Sequence, residues 1–242
     1  MSPLQTNLPA AVVEHDFSDR AVLADALAGA VAGKLHAALA ERASAVVALS
    51  GGTTPALFLR RLSTQALDWS RVVVTLCDER WVPPTHARSN ARLVCENLLQ
   101  GAAAAARFEP LFADAPQPES VLGEITRRID ALPTPFDAVV LGLGLDGHIA
   151  SLFPDADRLA QALDPGGAAS VLPIRAASAG EQRITLTLPV LAAARNLYLQ
   201  IEGADKLLVF GRIMRAEGAF AASPLRAVLR HAAAPLDVYW SA

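Results

Sequence analysis

The residues best suited to chemistry lie in a glycine-rich segment near the middle of the chain, GLGLDGH at residues 142–148. His148 has an ordinary pKa near neutrality, which suits a general base, and Asp146 lies two positions before it. The segment follows an apolar run, residues 136–141, that is typical of a buried parallel strand. A loop in that position favours a working site over the alternative, a histidine that only caps the loop.

A second segment, SGGTTP at residues 50–55, has the composition of a phosphate-binding turn. The backbone N–H groups of Gly51 and Gly52 can approach an anion closely, and Thr53 and Thr54 add hydroxyl donors. A helix that begins there would add its positive end. The segment lacks the Gly-Lys-Ser/Thr ending of a Walker A loop. An ordinary strand-to-helix turn is the alternative, because glycine-rich turns have many uses.

Charged residues elsewhere in the chain add candidate ligands for an anion. In the DERWVPP segment, residues 78–84, Arg80 suits bidentate binding of a phosphate or carboxylate, and Asp78 suits a base or an orienting group. A solvated ion-pair cluster is the alternative for such a run. Lys206 lies in the first turn of a predicted helix, where a cation opposes the helix dipole, so it is either an anion ligand or a solvated lysine. Arg183, at the start of RITLTL, is a weaker candidate of the same kind.

Other classes of site are not favoured. GLGLDGH fits the G-x-G-x-x-G string of dinucleotide-binding folds, but Pro154 stops the following helix almost at once, and the acidic residue at the required distance lies in a glycine-rich loop. The chain has no G-x-S-x-G string and no pair of His or Cys at metal-ligand spacing. We therefore expect neither a metal nor an organic cofactor.

Composition limits the partners and the compartment. The chain has 242 residues, is 52% hydrophobic and carries a net charge of −3 without a basic stripe, so we do not expect it to bind nucleic acid. Two cysteines make no disulfide framework and fit a reducing compartment. We see no signal peptide at the N-terminus and no apolar run near the roughly 20 residues that span a bilayer. These features predict a cytoplasmic protein with no membrane contact.

Apolar runs alternate with helical patterns along the chain. This alternation predicts an α/β fold, a doubly wound, mostly parallel sheet with helices on both faces. No linker divides the chain, so we expect one domain over residues 1–242. Strands are predicted at residues 12–17, 45–49, 71–76, 136–141, 171–174, 183–188, 196–201 and 236–240. Because the carboxyl ends of parallel strands meet at one edge, the three loops above are expected to share one cleft.

Three stretches between the strands receive specific predictions. Residues 149–153 have the pattern of a short helix. The alanine run at residues 102–106 resembles a linker, and residues 155–170 are predicted to be irregular.

Taken together, these segments resemble the 6-phosphogluconolactonase family. The matching pieces run from about residue 45 to residue 210 and are LSGGTTP, DERWVP followed by SN, GLGLDGHIASLFP, RITLT and GADK. GLGLDGHIASLFP is specific by itself, and the others are specific through their order and spacing. Glucosamine-6-phosphate deaminases look similar, but SLFP after DGHIA and arginine after Asp-Glu are the lactonase forms.

The resemblance implies an activity and a role for each matching residue. The activity is hydrolysis of 6-phospho-D-glucono-1,5-lactone to 6-phosphogluconate in the oxidative pentose phosphate pathway. His148 would be the general base that activates water, and Asp146 would orient or tune it. The substrate, a small sugar phosphate, would be bound by Gly51, Gly52, Thr53, Asp78, Arg80, Arg183 and Lys206, with Arg80 and Lys206 on the phosphate. We expect a monomer or a weak homo-oligomer.

Two other functions remain open on the sequence alone. An isomerase or deaminase acting on an amino-sugar phosphate would use Asp78 to move a proton between C1 and C2. A non-catalytic sensor would use only the phosphate turn, and the presence of both Asp146 and His148 counts against it, since binding alone needs no base that works at neutral pH.

Overall fold

A computed structural model describes residues 10–242, so the predicted absence of a signal peptide concerns a terminus that lies mostly outside the described residues. Seven strands form the central sheet: β1 Val12–Phe17, β2 Ala45–Leu49, β3 Val72–Leu76, β5 Arg107–Glu109, β6 Ala138–Gly142, β9 Leu197–Glu202 and β10 Leu236–Ser241. Their order is β1-β10-β9-β6-β2-β3-β5, and every pair is parallel. The predicted parallel α/β sheet is confirmed.

Helices cover both faces of this sheet. They are α1 Arg20–Glu41, α2 Ala56–Ser63, α3 Asn90–Asn97, α4 Leu122–Asp130, α5 Leu159–Ala162, α6 Leu188–Ala192, α7 Ala204–Met214 and α8 Pro224–His231. Strands β2 and β3 are buried at every position, as expected of strands with a helical layer on each side. Helix α1 packs against α2, and α8 packs against α6 and α7.

Helix α1 is the longest of these helices and supplies much of the core. Asp19 caps its first turn by accepting hydrogen bonds from the N–H groups of Ala21 and Val22. Its buried residues recur every three or four positions and are Leu23, Ala24, Leu27, Ala28, Val31, Ala32, Leu35, Ala38 and Leu39. By length and composition alone, α1 could cross a bilayer, so the prediction that no segment approaches that size was wrong. Its buried face packs on the sheet.

A second, antiparallel sheet was not predicted. It consists of β4 Asp78–Arg80, β8 Arg183–Leu186 and β7 Val171–Ile174, in the order β4-β8-β7. One residue, Cys77, links it to the central sheet, because its N–H donates to Leu49 at 2.9 Å and its carbonyl accepts from Leu186 at 2.9 Å. The DERWVPP segment is therefore partly a strand. A run of three charged residues cannot show the alternation of apolar and polar residues that predicts a strand. The strand it pairs with, β8, lies about a hundred positions further along the chain.

Three local predictions differ from the structure. Residues 149–153 form a tight turn closed by a bridge between Ile149 and Leu152, not a helical piece. Ala150 has a φ of 48°, which a right-handed helix does not allow, and the turn buries both Ile149 and Leu152. Residues Gly101–Ala105 form a 3-10 helix instead of a linker, and residues 155–170 contain the single turn of α5.

The strand order places a crevice between β2 and β6. From β2 the chain moves outward to β3 and β5, then returns to β6 on the other side of β2. The loops that leave β2 and β6 therefore diverge. In open α/β sheets, ligands bind at such a reversal point, outside the carboxyl ends of the strands.

The burial of α1 predicts a graded response to shortening its side chains. Leu27→Ala removes a fully buried side chain and should lower the free energy of unfolding by about 3 kcal/mol. Val22→Ala, on the same helix but 46% exposed, should change it by no more than about 0.5 kcal/mol. Urea denaturation measures both. Equal effects would contradict the assignment of the buried face.

Candidate active site

A cleft of about 200 Å³ opens at the reversal point between β2 and β6. Its walls come from the turn after β2, the end of β6 and its loop, strand β4, and single residues of α2, α3, β8, β9 and α7. The sequence-predicted site residues in its lining are Gly51, Gly52, Thr53, Asp78, Arg80, His148, Arg183 and Lys206. Asp146 is not part of the lining and lies beside His148. The three loops thus meet in one cleft, as expected from a parallel sheet.

His148 and Asp146 form a hydrogen-bonded pair. Nδ1 of His148 lies 2.5 Å from Oδ1 of Asp146, and the backbone N–H of His148 donates to the same oxygen at 3.2 Å. Partial burial raises the pKa of Asp146, but the hydrogen bond and the charge of His148 outweigh it, and the net pKa is lowered. An ionised carboxylate only accepts, so neutral His148 carries its proton on Nδ1. Its Nε2 then presents a lone pair and has no partner among residues 10–242.

Glycine at position 144 makes this pair possible. The N–H of Gly144 donates to the carbonyl of His148 at 2.9 Å, and that of Gly147 donates to Gly144 at 3.0 Å, so the loop folds back on itself. A Cβ at position 144 would lie 2.2 Å from Nδ1 of His148, which leaves no room for any other residue. On another side, the imidazole packs against Phe153, with ring centroids 4.1 Å apart.

The loop that carries His148 is tied to β4 through the next turn. Ser151 donates its hydroxyl to Oδ2 of Asp78 at 2.5 Å, and both residues are buried. Asp78 also faces Arg183, whose Nη1 lies 3.7 Å from the same oxygen. From the sequence, Ser151 is only part of the SLFP piece that carries the family resemblance. As the single hydroxyl in the turn after Ile149, it was the available signal for a contact that anchors the loop.

Two arginines lie side by side on one wall of the cleft. Arg80 and Arg183 are register partners on β4 and β8. Burial lowers the pKa of Arg183; the Asp78 charge opposes this shift, and the neighbouring Arg80 adds to it. The Nε atoms of both residues are buried and have no hydrogen-bond partner among the described residues. Unpaired guanidinium donors at a cleft wall suit an anionic or strongly polar ligand.

Lys206 supplies a third cation from the first turn of α7. Its Nζ donates to Oγ1 of Thr54 in the turn after β2, at 3.0 Å. Burial lowers its pKa, and the charge of Glu202 partly opposes the shift. In the part of the chain that the structure describes, Lys206 has no carboxylate within ion-pair distance. Lys206 and the glycine turn therefore lie together in the lining of the cleft, a combination that suits an anion.

Asn90 belongs to the SN piece of the family resemblance and is not among the predicted site residues, but it lines the cleft. Ser89 caps helix α3, because its hydroxyl accepts a hydrogen bond from the N–H of Arg92 at 3.1 Å. The Asn90 side chain turns into the cleft instead and donates to the carbonyl of Asp78 at 2.8 Å. A Cβ at Gly51 would lie 1.8 Å from its Oδ1, so glycine is required there for close contact.

Among residues 10–242, no group of three or more His, Cys, Asp or Glu side chains lies close enough together to hold a metal ion. The cleft contains a histidine that is hydrogen-bonded to a carboxylate, together with three cations and a glycine turn. Such a set can activate a water molecule beside a bound anion.

A family profile, curated relatives and a solved structure match this chain over most of its length. The profile of the family "Glucosamine-6-phosphate isomerases/6-phosphogluconolactonase" matches residues 18–240. The chain is 50% identical to a 6-phosphogluconolactonase of Mesorhizobium japonicum, over 93% of each chain. It is 44% identical to that of Pseudomonas aeruginosa, over 99% of each. It also resembles the crystal structure of a 6-phosphogluconolactonase from Shewanella baltica, with a TM-score of 0.92 and 36% identity over 98% of this chain and 100% of that one.

The close contact at Gly144 predicts that Gly144→Ala displaces His148 from Asp146. The added methyl group overlaps the imidazole, so the Nδ1–Oδ1 contact should open beyond the roughly 3.2 Å limit of a hydrogen bond. A crystal structure of the variant measures this distance. Gly123→Ala is the matched control, because nothing lies within 4 Å of its Cβ position and its backbone is helical. An unmoved His148 in the Gly144 variant would contradict the argument.

Proposed function

The chain belongs to the glucosamine-6-phosphate isomerase/6-phosphogluconolactonase family, and we propose that it hydrolyses 6-phospho-D-glucono-1,5-lactone to 6-phosphogluconate with His148 as the general base. The comparisons carry the coarser part of this statement: the chain is an enzyme, a hydrolase that acts on a lactone ester in sugar-phosphate metabolism. The proposal goes further in assigning residues to each step. The observation that carries it is the pair of His148 and Asp146 at the cleft.

His148 starts the reaction by taking a proton from water. Its Nε2 has no protein partner in the described part of the chain, so a water molecule can bind there. As that water attacks C1 of the lactone, its proton passes to Nε2, and Asp146 stabilises the imidazolium that forms. Negative charge then develops on the carbonyl oxygen. Backbone N–H groups of the glycine-rich loops are the donors we propose for this oxyanion.

The tetrahedral intermediate collapses when the ring C1–O bond breaks. The imidazolium of His148 returns its proton to the departing ring oxygen, which becomes a hydroxyl group. The carbonyl forms again as a carboxylic acid, which ionises. The histidine is restored to its neutral form, so the enzyme neither gains nor loses a proton over the cycle. The proton released to water comes from the product acid when it ionises.

The cations hold the part of the substrate that does not react. We propose that Arg80 and Lys206 bind the phosphate, with donors from Gly51, Gly52 and Thr53, and that Arg183 faces the sugar ring. Lys206 is already held against the glycine turn through Thr54. Binding of the remote phosphate holds the lactone beside His148 and raises kcat/KM by lowering KM.

Asp78 supports hydrolysis over the isomerase alternative. A base that moves a proton between two carbons needs a free carboxylate oxygen. Oδ2 of Asp78 accepts from Ser151 and faces Arg183, and Oδ1 lies 3.4 Å from the amide of Asn90. We therefore propose that Asp78 organises the substrate-binding wall.

The cytoplasmic location, the single domain over residues 1–242 and the monomeric or weakly associated state stay predictions. Size-exclusion chromatography at several concentrations tests the last of these.

His148→Ala should lower kcat by roughly 100-fold or more, because the variant loses the group that accepts the proton of water. The assay follows proton release from freshly generated lactone, with spontaneous hydrolysis subtracted. His36→Ala, an exposed histidine on α1, is the control and should retain full activity. If the wild-type protein does not accelerate lactone hydrolysis, the proposed function fails. Release of ammonia from glucosamine 6-phosphate would then support the deaminase alternative.

Arg80→Ala and Lys206→Ala should mainly raise KM, because a group that binds the phosphate equally in the ground and transition states contributes to affinity alone. Steady-state kinetics with the same lactone measure KM and kcat separately. Lys34→Ala, an exposed lysine on α1, is the control. A variant whose kcat falls while KM stays unchanged would remove that residue from phosphate binding.

A further inference from the structure

Glu79 is a buried acid that the proposed reaction does not use. It lies on β4 between Asp78 and Arg80, which both line the cleft, and its own side chain points to the opposite face of the strand. Its relative exposure is 0%, and over residues 10–242 no lysine, arginine or histidine lies within ion-pair distance of it. Burying a carboxylate without a cation costs folding free energy unless hydrogen-bond donors compensate, so the donors around Glu79 are informative about its role.

The Glu79 carboxylate is satisfied by four donors. Oε1 accepts from the backbone N–H groups of Arg80 at 2.8 Å and Asn90 at 2.7 Å. Oε2 accepts from the hydroxyl of Ser89 at 3.1 Å and the N–H of Ala91 at 2.7 Å. Burial raises the pKa of Glu79, while these backbone hydrogen bonds oppose the shift. Two of the donors belong to the first turn of α3, whose N–H groups have no partner within the helix.

Asn90 connects the Glu79 carboxylate to the residues that line the cleft. Glu79 holds the Asn90 backbone, and the Asn90 side chain donates to the Asp78 carbonyl and packs against Gly51 with no space between them for a Cβ. The turn after β2 and strand β4 are thus joined through one carboxamide. The position of that carboxamide depends on where α3 begins, which the Glu79 carboxylate fixes.

We propose that Glu79 is a positioning residue: it clamps the start of α3 so that Asn90 holds the Gly51 turn and β4 in the geometry that binds the phosphate. This inference rests on the phosphate role proposed above for the Gly51 turn. It assigns Glu79 no contact with substrate.

The Glu79→Gln variant tests the clamp, because glutamine has nearly the same shape as glutamate. The amide replaces one acceptor oxygen by a donor, so at least one N–H at the start of α3 loses its partner. We expect the affinity for inorganic phosphate, measured by ³¹P NMR titration, to fall about tenfold. KM for the lactone should rise by a similar factor, while kcat changes by less than about threefold. Ser89→Ala removes one of the four donors and should give a smaller change in the same direction.

A second buried carboxylate, which is ion-paired with Arg42 and Arg195, serves as a control that separates positioning from a general loss of stability. Asp137 is also a buried carboxylate, and it accepts from the N–H of Val46 at 2.8 Å where β6 is about to begin, at the edge of the sheet away from the cleft. Asp137→Asn should lower Tm but leave phosphate affinity and KM unchanged. If Glu79→Gln likewise lowers Tm and leaves phosphate affinity unchanged, Glu79 is only structural and the proposal is wrong.

A double-mutant cycle tests whether Glu79 acts through Asn90. If it does, the variant with both Glu79→Gln and Asn90→Ala should bind phosphate no more weakly than Asn90→Ala alone. Additive losses would overturn the proposed route. The phosphate titration does not depend on turnover. Absence of wild-type lactonase activity would therefore count against the proposed function, whereas intact activity with an unaffected Glu79→Gln variant would count against the clamp.

Discussion

The buried carboxylate of Asp78 joins the segments from which the cleft is built. Oδ2 of Asp78 accepts a hydrogen bond from the hydroxyl of Ser151, which follows the histidine loop, and faces the guanidinium of Arg183. The backbone carbonyl of Asp78 accepts a hydrogen bond from the Asn90 side chain, which contacts the turn after β2. A loop at a sheet edge is held only by the contacts it makes. Here the loops after β2 and β6 are both tied to a short strand outside the central sheet.

This arrangement buries charged groups, which costs folding free energy. Arg183 and Lys206 both lose hydration, which lowers their pKa values, and only part of that loss is offset by neighbouring carboxylates. Donors held in place before a ligand arrives need no reorganisation when it binds, and they act in a poorly hydrated environment where electrostatic interactions are stronger. The same residues that cost folding free energy are therefore the ones suited to an anionic substrate.

The sequence predicts most of the central sheet and the meeting of its three loops, because apolar runs and strand-end glycines are local signals. It does not predict β4, whose three charged residues become a strand only through pairing with β8. It also cannot establish the contact between Asp146 and His148, since a separation of two residues allows many geometries. The compact turn at Ala150 and the inward side chain of Asn90 depend on tertiary packing, which overrides local helical preference.

The pairing of β1 with β10 has a consequence for how the chain is made. The first strand of the central sheet aligns along its whole length with the last one, Val12 with Leu236 through Phe17 with Ser241. Helix α1, which follows β1, also packs on β10. On a ribosome, this long apolar helix emerges before the strand that completes its binding surface exists. Such distant contacts slow folding, so the nascent chain must carry α1 with part of its apolar face uncovered until synthesis ends.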